Sequence, residues 1–261
     1  MSNERQLTDA AVEPAGSSAG LPAALSTRLL AELRASADPE NLAGMARYGI
    51  SATGTLGVSM PRVRELARDA KRELDRNRAA RHETAALLWV SGVHEARILA
   101  SLIDAPALVT ESQMESWATD LDSWDVCDTL MNNLFRSAPG AWAKATEWPL
   151  RDETFVKRSG FVLGATLAVH DKSADDERFL GLLALAETQA TDERNFVMKA
   201  ANWQIRQIGK RSPYLNAEAI ETCERILAAY PDIKAARWVA RGALRELRSD
   251  AIRVRLGLTV E

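Results

Sequence analysis

Along most of this chain apolar positions recur at intervals of three and four, the period of an amphipathic helix. Over 60–78, Val63, Leu66, Ala67, Ala70 and Leu74 fall on one stripe with charged residues between them. The same reading predicts helices over 22–36, 40–48, 82–91, 93–104, 110–119, 123–136, 139–147, 153–170, 176–189, 194–210, 214–229 and 233–248. The breaks carry Asp38-Pro39, Ser59-Met60-Pro61, Pro139-Gly140, Ser212-Pro213 and Tyr230-Pro231-Asp232, the residues that cap or interrupt helices. No segment alternates with period two between turn signals, so no strand is predicted.

After residue 80 the helices fall into consecutive pairs, each pair taking roughly 35–45 residues. That spacing suits an all-α solenoid of HEAT-like or armadillo type, in which each hairpin buries its apolar face on its neighbours and a concave face is left for an extended ligand. A globular helical bundle is the alternative. One domain is expected over 22–261, preceded by a flexible N-terminal tail over 1–21 that ends in Pro14-Ala15-Gly16-Ser17-Ser18-Ala19-Gly20.

Composition narrows the class. Hydrophobic residues are 46% and charged residues 26% of the 261, a soluble globular balance. No apolar run approaches the roughly 20 residues of a membrane span, and the N-terminus lacks a signal peptide's basic start and apolar middle. A cytoplasmic protein without membrane contact is expected. Two cysteines, Cys127 and Cys223, and three scattered histidines offer neither a disulfide framework nor a metal cluster, so neither metal nor cofactor is expected. The net charge of −3 hides an asymmetry: residues 194–261 carry 13 Lys/Arg against 7 Asp/Glu. A basic C-terminal region points to an anionic partner.

Four constellations can carry chemistry. In Asp122-Ser123-Trp124-Asp125-Val126-Cys127-Asp128, Asp122 or Ser123 suits the N-cap, and Trp124 and Asp128 share a helix face four residues apart. An aromatic wall beside a carboxylate suits a cationic substrate or transition state; a Trp packed at a helix start beside a solvated Asp would give the same pattern. In 194–210, Lys199, Trp203, Arg206 and Lys210 form one stripe while Phe196, Val197, Ala200, Ala201, Ile205 and Ile208 can occupy the buried side. Cations around an aromatic resemble a phosphate-tracking surface, although a Trp covering the core edge between solvated cations is equally consistent.

The third stripe is Lys234, Arg237, Arg241, Arg245 and Arg248, with Trp238 near its boundary. Adjacent like charges repel unless something anionic pairs with them. The fourth is Arg158, which follows Lys157 on a helix apolar over most of its circumference and therefore needs a carboxylate or a bound anion. No GxxxxGK[ST] loop, GxSxG elbow or HExxH pattern is present, which lowers nucleotide hydrolysis, esterase chemistry and zinc hydrolysis.

In order, these segments resemble the AlkD-like DNA-alkylation-repair glycosylases, a family of HEAT-like-repeat proteins. The resemblance runs over about residues 40–250, through Gly57-Val58-Ser59-Met60-Pro61-Arg62-Val63-Arg64, Leu88-Trp89, His94-Glu95-Ala96-Arg97, the 124–128 segment, Lys157-Arg158, the 199–210 stripe and the last arginine helix. It implies Asp128 as the catalytic carboxylate, Trp124 and Trp203 as the aromatic residues of the site, and Arg158 as its phosphate contact. Arg206 looks like a further backbone contact, and Lys157, Lys199, Lys210, Arg237, Arg241 and Arg245 complete the expected DNA-binding set. The implied partner is double-stranded DNA containing alkylated bases, bound by a monomer of bacterial type that is nucleoid-associated when on DNA. The implied reaction is hydrolysis of the N-glycosidic bond of a cationic N3- or N7-alkylated purine, Asp128 stabilising positive charge on the sugar. Two other readings stay open: a DNA-structure-binding relative without catalysis, and a HEAT-type scaffold for an acidic protein segment.

Overall fold

Several helices begin where proline makes them begin. Pro22, Pro39, Pro61 and Pro213 each stand in the first turn of a helix, where a missing N–H leaves no bond unmade. The computed structural model describes residues 20–259, and within them the chain forms fourteen α-helices and no strand. They are α1 (Leu21–Ala35), α2 (Pro39–Ala46), α3 (Met60–Leu74), α4 (Arg78–Val90), α5 (His94–Ile103), α6 (Glu111–Thr119), α7 (Trp124–Asn133), α8 (Ala141–Glu147), α9 (Thr154–His170), α10 (Glu177–Thr188), α11 (Asn195–Gly209), α12 (Pro213–Ala229), α13 (Lys234–Leu247) and α14 (Asp250–Arg255). The expected tail lies outside the described residues, apart from Gly20 and Leu21, which cap and open α1.

The helices stack as pairs in two layers. In one layer α3, α5, α7, α9, α11 and α13 each touch the next; α4, α8, α10 and α12 back them, and α1 packs beside α4. Pairs begin at Arg78, Glu111, Ala141, Glu177 and Pro213, 30 to 36 residues apart, at or below the lower end of the period read from the sequence. Short loops allow this: several connections are three to six residues long.

Some elements also differ from expectation. Helix α3 stops at Leu74 and not at 78, because Asp75 adopts the left-handed region at φ 41 and Asn77 already caps α4 by accepting from the Ala80 N–H at 3.0 Å. Helix α14 was not predicted; six residues are too few to display a period.

The centre of the stack is α9, buried from Val156 to Ala168. Its two glycines permit close approach. A Cβ on Gly160 would lie 2.3 Å from Cδ of Pro149, and one on Gly164 would lie 2.1 Å from Oε1 of Gln204. Helices α7, α8 and α11 converge on it, so a polar residue on α9 facing α7 and α11 is held from both sides. No helix among the described residues is long and apolar enough to cross a membrane.

Candidate functional site

Arg158 is that residue. Its Nε donates to Oδ1 of Asp128 at 2.9 Å and its Nη2 to Oδ2 at 2.8 Å, a bidentate pair. Its Nη1 donates to the Phe196 carbonyl at 2.7 Å, so one guanidinium joins α7, α9 and the first turn of α11. The Arg158 side chain is 7% exposed and that of Asp128 25%, which leaves the carboxylate facing an opening. Burial raises the Asp128 carboxyl above its ordinary value while Arg158 opposes the rise. Burial pulls the guanidinium down, but the Asp128 charge and hydrogen bonds overcome it and hold Arg158 above its ordinary value. The partner this arginine requires is therefore the catalytic candidate itself, and any phosphate on Arg158 must share a guanidinium already engaged on three nitrogens.

Asp128 opens into a recess of about 570 Å³ lined by Arg47, Tyr48, Gly49, Trp124, Asp128, Arg158, Asn195, Phe196 and Lys199. Trp124 is the first residue of α7 and donates its indole N–H to the Tyr48 carbonyl at 3.0 Å. Phe196 stands on α11 with its ring against Phe155, centroids 5.4 Å apart. Lys199 is exposed on the same stripe one turn on. Val126, Cys127 and Leu130 fill the core side of α7, and burial pushes the Cys127 thiol up to about 12, so it is inert.

Beyond Trp124 lies a second recess of about 610 Å³, between α2, α3, α5 and α7, with Met45, Ile50, Val58, Met60 and Ile98 as apolar walls. His94 and Asp125 line it, His94 Nε2 and Asp125 Oδ2 being 2.9 Å apart. Burial alone would lower the His94 pKa; the hydrogen bond and charge of Asp125 reverse this and hold it above 6.5. Burial likewise pushes Asp125 up, but His94 and the Ser123 hydroxyl hold its carboxyl below the ordinary range. Ser123 is the N-cap residue, yet its hydroxyl donates to Asp125 and does not cap the backbone. Glu95 is buried, and its Oε1 accepts the N–H groups of Gly57 at 2.7 Å and Val58 at 3.1 Å. Two segments far apart in sequence, 57–64 and 94–97, are thereby one structural joint.

The structure sorts the expected contacts into three groups. Trp124, Asp128, Arg158 and Lys199 come together in the recess. Trp203 does not line it; half-buried one turn beyond Lys199, it packs against the core, and Gln207, with its amide oxygen turned to the indole, accepts its N–H at 2.7 Å. Phe196, expected on the buried side, supplies the second aromatic wall, and its three-residue spacing from Lys199 is the signal for that position. Lys157 points away from the recess: it is buried and its ammonium meets Gln189 at 2.9 Å and Asp192 at 3.3 Å. Arg206 and Lys210 both pair with Glu246 of α13, Lys210 at 2.6 Å. Arg237, Arg241 and Arg245 form no ion pair among the described residues. Tyr48 and Arg47 were missed, since only a contact spanning 76 positions brings Tyr48 to Trp124.

Residues 29–247 match the model of a family described as DNA alkylation repair enzyme. No curated protein matches the chain significantly. Among solved structures, one described as "a new family of proteins related to the HEAT-like repeat DNA glycosylases with affinity for branched DNA structures" superposes with a TM-score of 0.69. The alignment covers 89% of this chain and 96% of that one at 15% identity, which shows a shared HEAT-like fold.

Proposed function

The chain belongs to the DNA alkylation repair enzyme family, and from that premise we propose that it is a monofunctional DNA glycosylase for cationic N3- or N7-alkylated purines. The carrying observation is the Asp128 carboxylate, fixed by Arg158 yet open to a recess walled by Trp124, Tyr48 and Phe196.

The chemistry follows from where charge goes. An alkylated purine of this kind already bears a positive charge. When the C1′–N bond breaks, its electron pair neutralises the base and the positive charge passes to the deoxyribose. A carboxylate at the recess mouth stabilises that sugar cation in a site of reduced dielectric. Water then adds to C1′, and its proton passes to Asp128 or to solvent; the raised carboxyl pKa favours uptake. Arg158 positions the carboxylate through two hydrogen bonds, and each oxygen keeps a lone pair for the substrate. The aromatic walls present electron-rich faces to the sugar. Lys199 and Arg47 at the rim, with Arg237, Arg241 and Arg245 farther along, hold phosphates.

A second reading is binding to DNA structure without base release. It is favoured by the engagement of Asp128 in a bidentate ion pair, which gives it a structural role, and by likeness to a protein described by its affinity for branched DNA. Base release from methylated duplex DNA separates the two. Under the glycosylase reading wild type releases the base, and Asp128→Asn abolishes release with DNA affinity unchanged. Equal release by the variant would remove Asp128 from the reaction, and no release by wild type would leave the second reading.

A further inference from the structure

Trp238 is the anomaly among the tryptophans. Trp89, Trp117 and Trp148 are buried, and Trp124, Trp142 and Trp203 are half-buried with bonded indole N–H groups. Trp238 is 45% exposed, and its N–H has no partner among the described residues. Helix α13 packs through Ala235, Ala236, Val239, Ala240 and Ala243, all essentially inaccessible, and Trp238 lies outside that buried set.

Its neighbours give it a chemistry. Lys234, Arg241 and Arg245 lie four residues before, three after and seven after Trp238, which puts all four on one helical stripe. Several cations nearby are compensated: Glu246 takes Arg206 and Lys210, Asp128 takes Arg158, and Glu224 takes Arg248. Lys234, Arg241 and Arg245 have no such carboxylate among the described residues, so α13 presents an uncompensated cationic stripe with an aromatic at its centre.

We infer that this stripe is a stacking platform for an unpaired nucleobase, Trp238 lying against the base and Lys234, Arg241 and Arg245 holding the flanking phosphates. The inference rests on the reading that the chain binds DNA. Inside an intact duplex both faces of every base are already stacked, so an exposed indole gains little there. A base in a single-stranded tail, or at a branch where the stack is interrupted, offers a free face. Base–aromatic stacking adds to phosphate attraction and tolerates any base identity.

The test measures, by fluorescence anisotropy, binding of the full chain to three probes: an intact duplex, the same duplex with a single-stranded tail, and a three-way junction. Wild type should bind at least one unpaired probe more tightly than the duplex. Trp238→Ala should lose about tenfold on that probe and little on the duplex, and Trp238→Phe should recover most of the loss. Loss on the tail, with or without loss on the junction, supports an unpaired base as ligand; loss on the junction alone would overturn it in favour of the exposed face of a terminal base pair. Quenching of tryptophan fluorescence by an oligo-dT strand, present in wild type and absent in Trp238→Phe, is the independent readout. Equal losses on all three probes, or none, would overturn the platform. Base release is scored on the same proteins: a wild type that releases no base overturns the glycosylase reading and leaves the platform standing, whereas a wild type that binds no probe overturns both.

Discussion

Arg158 and Asp128 meet edge to edge, Nε to Oδ1 at 2.9 Å and Nη2 to Oδ2 at 2.8 Å, while Nη1 reaches the Phe196 carbonyl at 2.7 Å. A lysine cannot reproduce this geometry, because an ammonium is a point charge without the planar fork. We expect Arg158→Ala to destabilise the chain by about 3 kcal/mol, the low end for breaking a buried pair, since Asp128 keeps some contact with water. Arg158→Lys should lie between it and wild type; urea unfolding measures both. The variants also move the reaction. Without the guanidinium, nothing opposes the burial that raises the Asp128 carboxyl, so the acid limb of base release should shift to higher pH. An unmoved limb in a folded Arg158→Ala protein would separate Asp128 from the rate.

The His94–Asp125 pair sets a second expectation, for stability against pH. His94 has its folded pKa above the ordinary 6.5, so the folded state holds that proton more tightly. Its contribution is complete below about pH 6.5 and is lost as pH rises through the folded value. Asp125, held below its ordinary value, contributes above about pH 4 and loses that share as pH falls through its folded value. The advantage of wild type over His94→Gln should therefore be larger at about pH 5.5 than at about pH 8.5. Urea midpoints at the two pH values measure it, and equal advantages would mean that folding leaves the ring's affinity for its proton unchanged.

Not every cation near the site should behave as a phosphate contact. Arg241 and Arg245 are exposed, and their joint replacement by alanine should weaken duplex binding and flatten the plot of log affinity against log salt by about 2. Lys157 is tied to Asp192 and Gln189 in the interior. Lys157→Ala should leave that slope unchanged and instead cost about 1 kcal/mol of stability, since Asp192 retains Arg194. A flatter slope in Lys157→Ala would reverse the assignment.

Elements and stripes were legible in the sequence because both are local. Periodicity located thirteen of the helices, and the 199–210 stripe needed only the helical repeat. What one helix cannot display is what its neighbours bring to it. Glu246 neutralises Arg206 and Lys210 from α13, and Asp128 meets Arg158 across two elements. The choice between Phe196 and Trp203 as second aromatic wall turned on which turn of α11 opens toward α2 and α7, a tertiary fact. Arg158 shows the same boundary from the other side. Its apolar helix announced that a charged partner was required, and only the folded chain says which.

Helix α2 buries none of its own residues. It is attached through the Asp38 N–H to the Leu56 carbonyl at 2.9 Å, the Asn41 amide to the Gly57 carbonyl at 3.1 Å, and the Trp124 indole to the Tyr48 carbonyl at 3.0 Å. Gly57, at φ 78, lies so close to the Asp38 carbonyl that a Cβ there would sit 2.1 Å from its oxygen. Tyr48, just beyond α2, borders both recesses. The two chambers thus have one stiff wall, tied through the interior by Arg158, and one compliant wall secured by hydrogen bonds worth about 1 kcal/mol each. Displacing the compliant wall exposes little apolar surface and removes the partition at Tyr48, turning two chambers into one cleft. The bulk a ligand can have is then governed by the elasticity of the N-terminal segment, while the alignment of Asp128 stays with the stiff side.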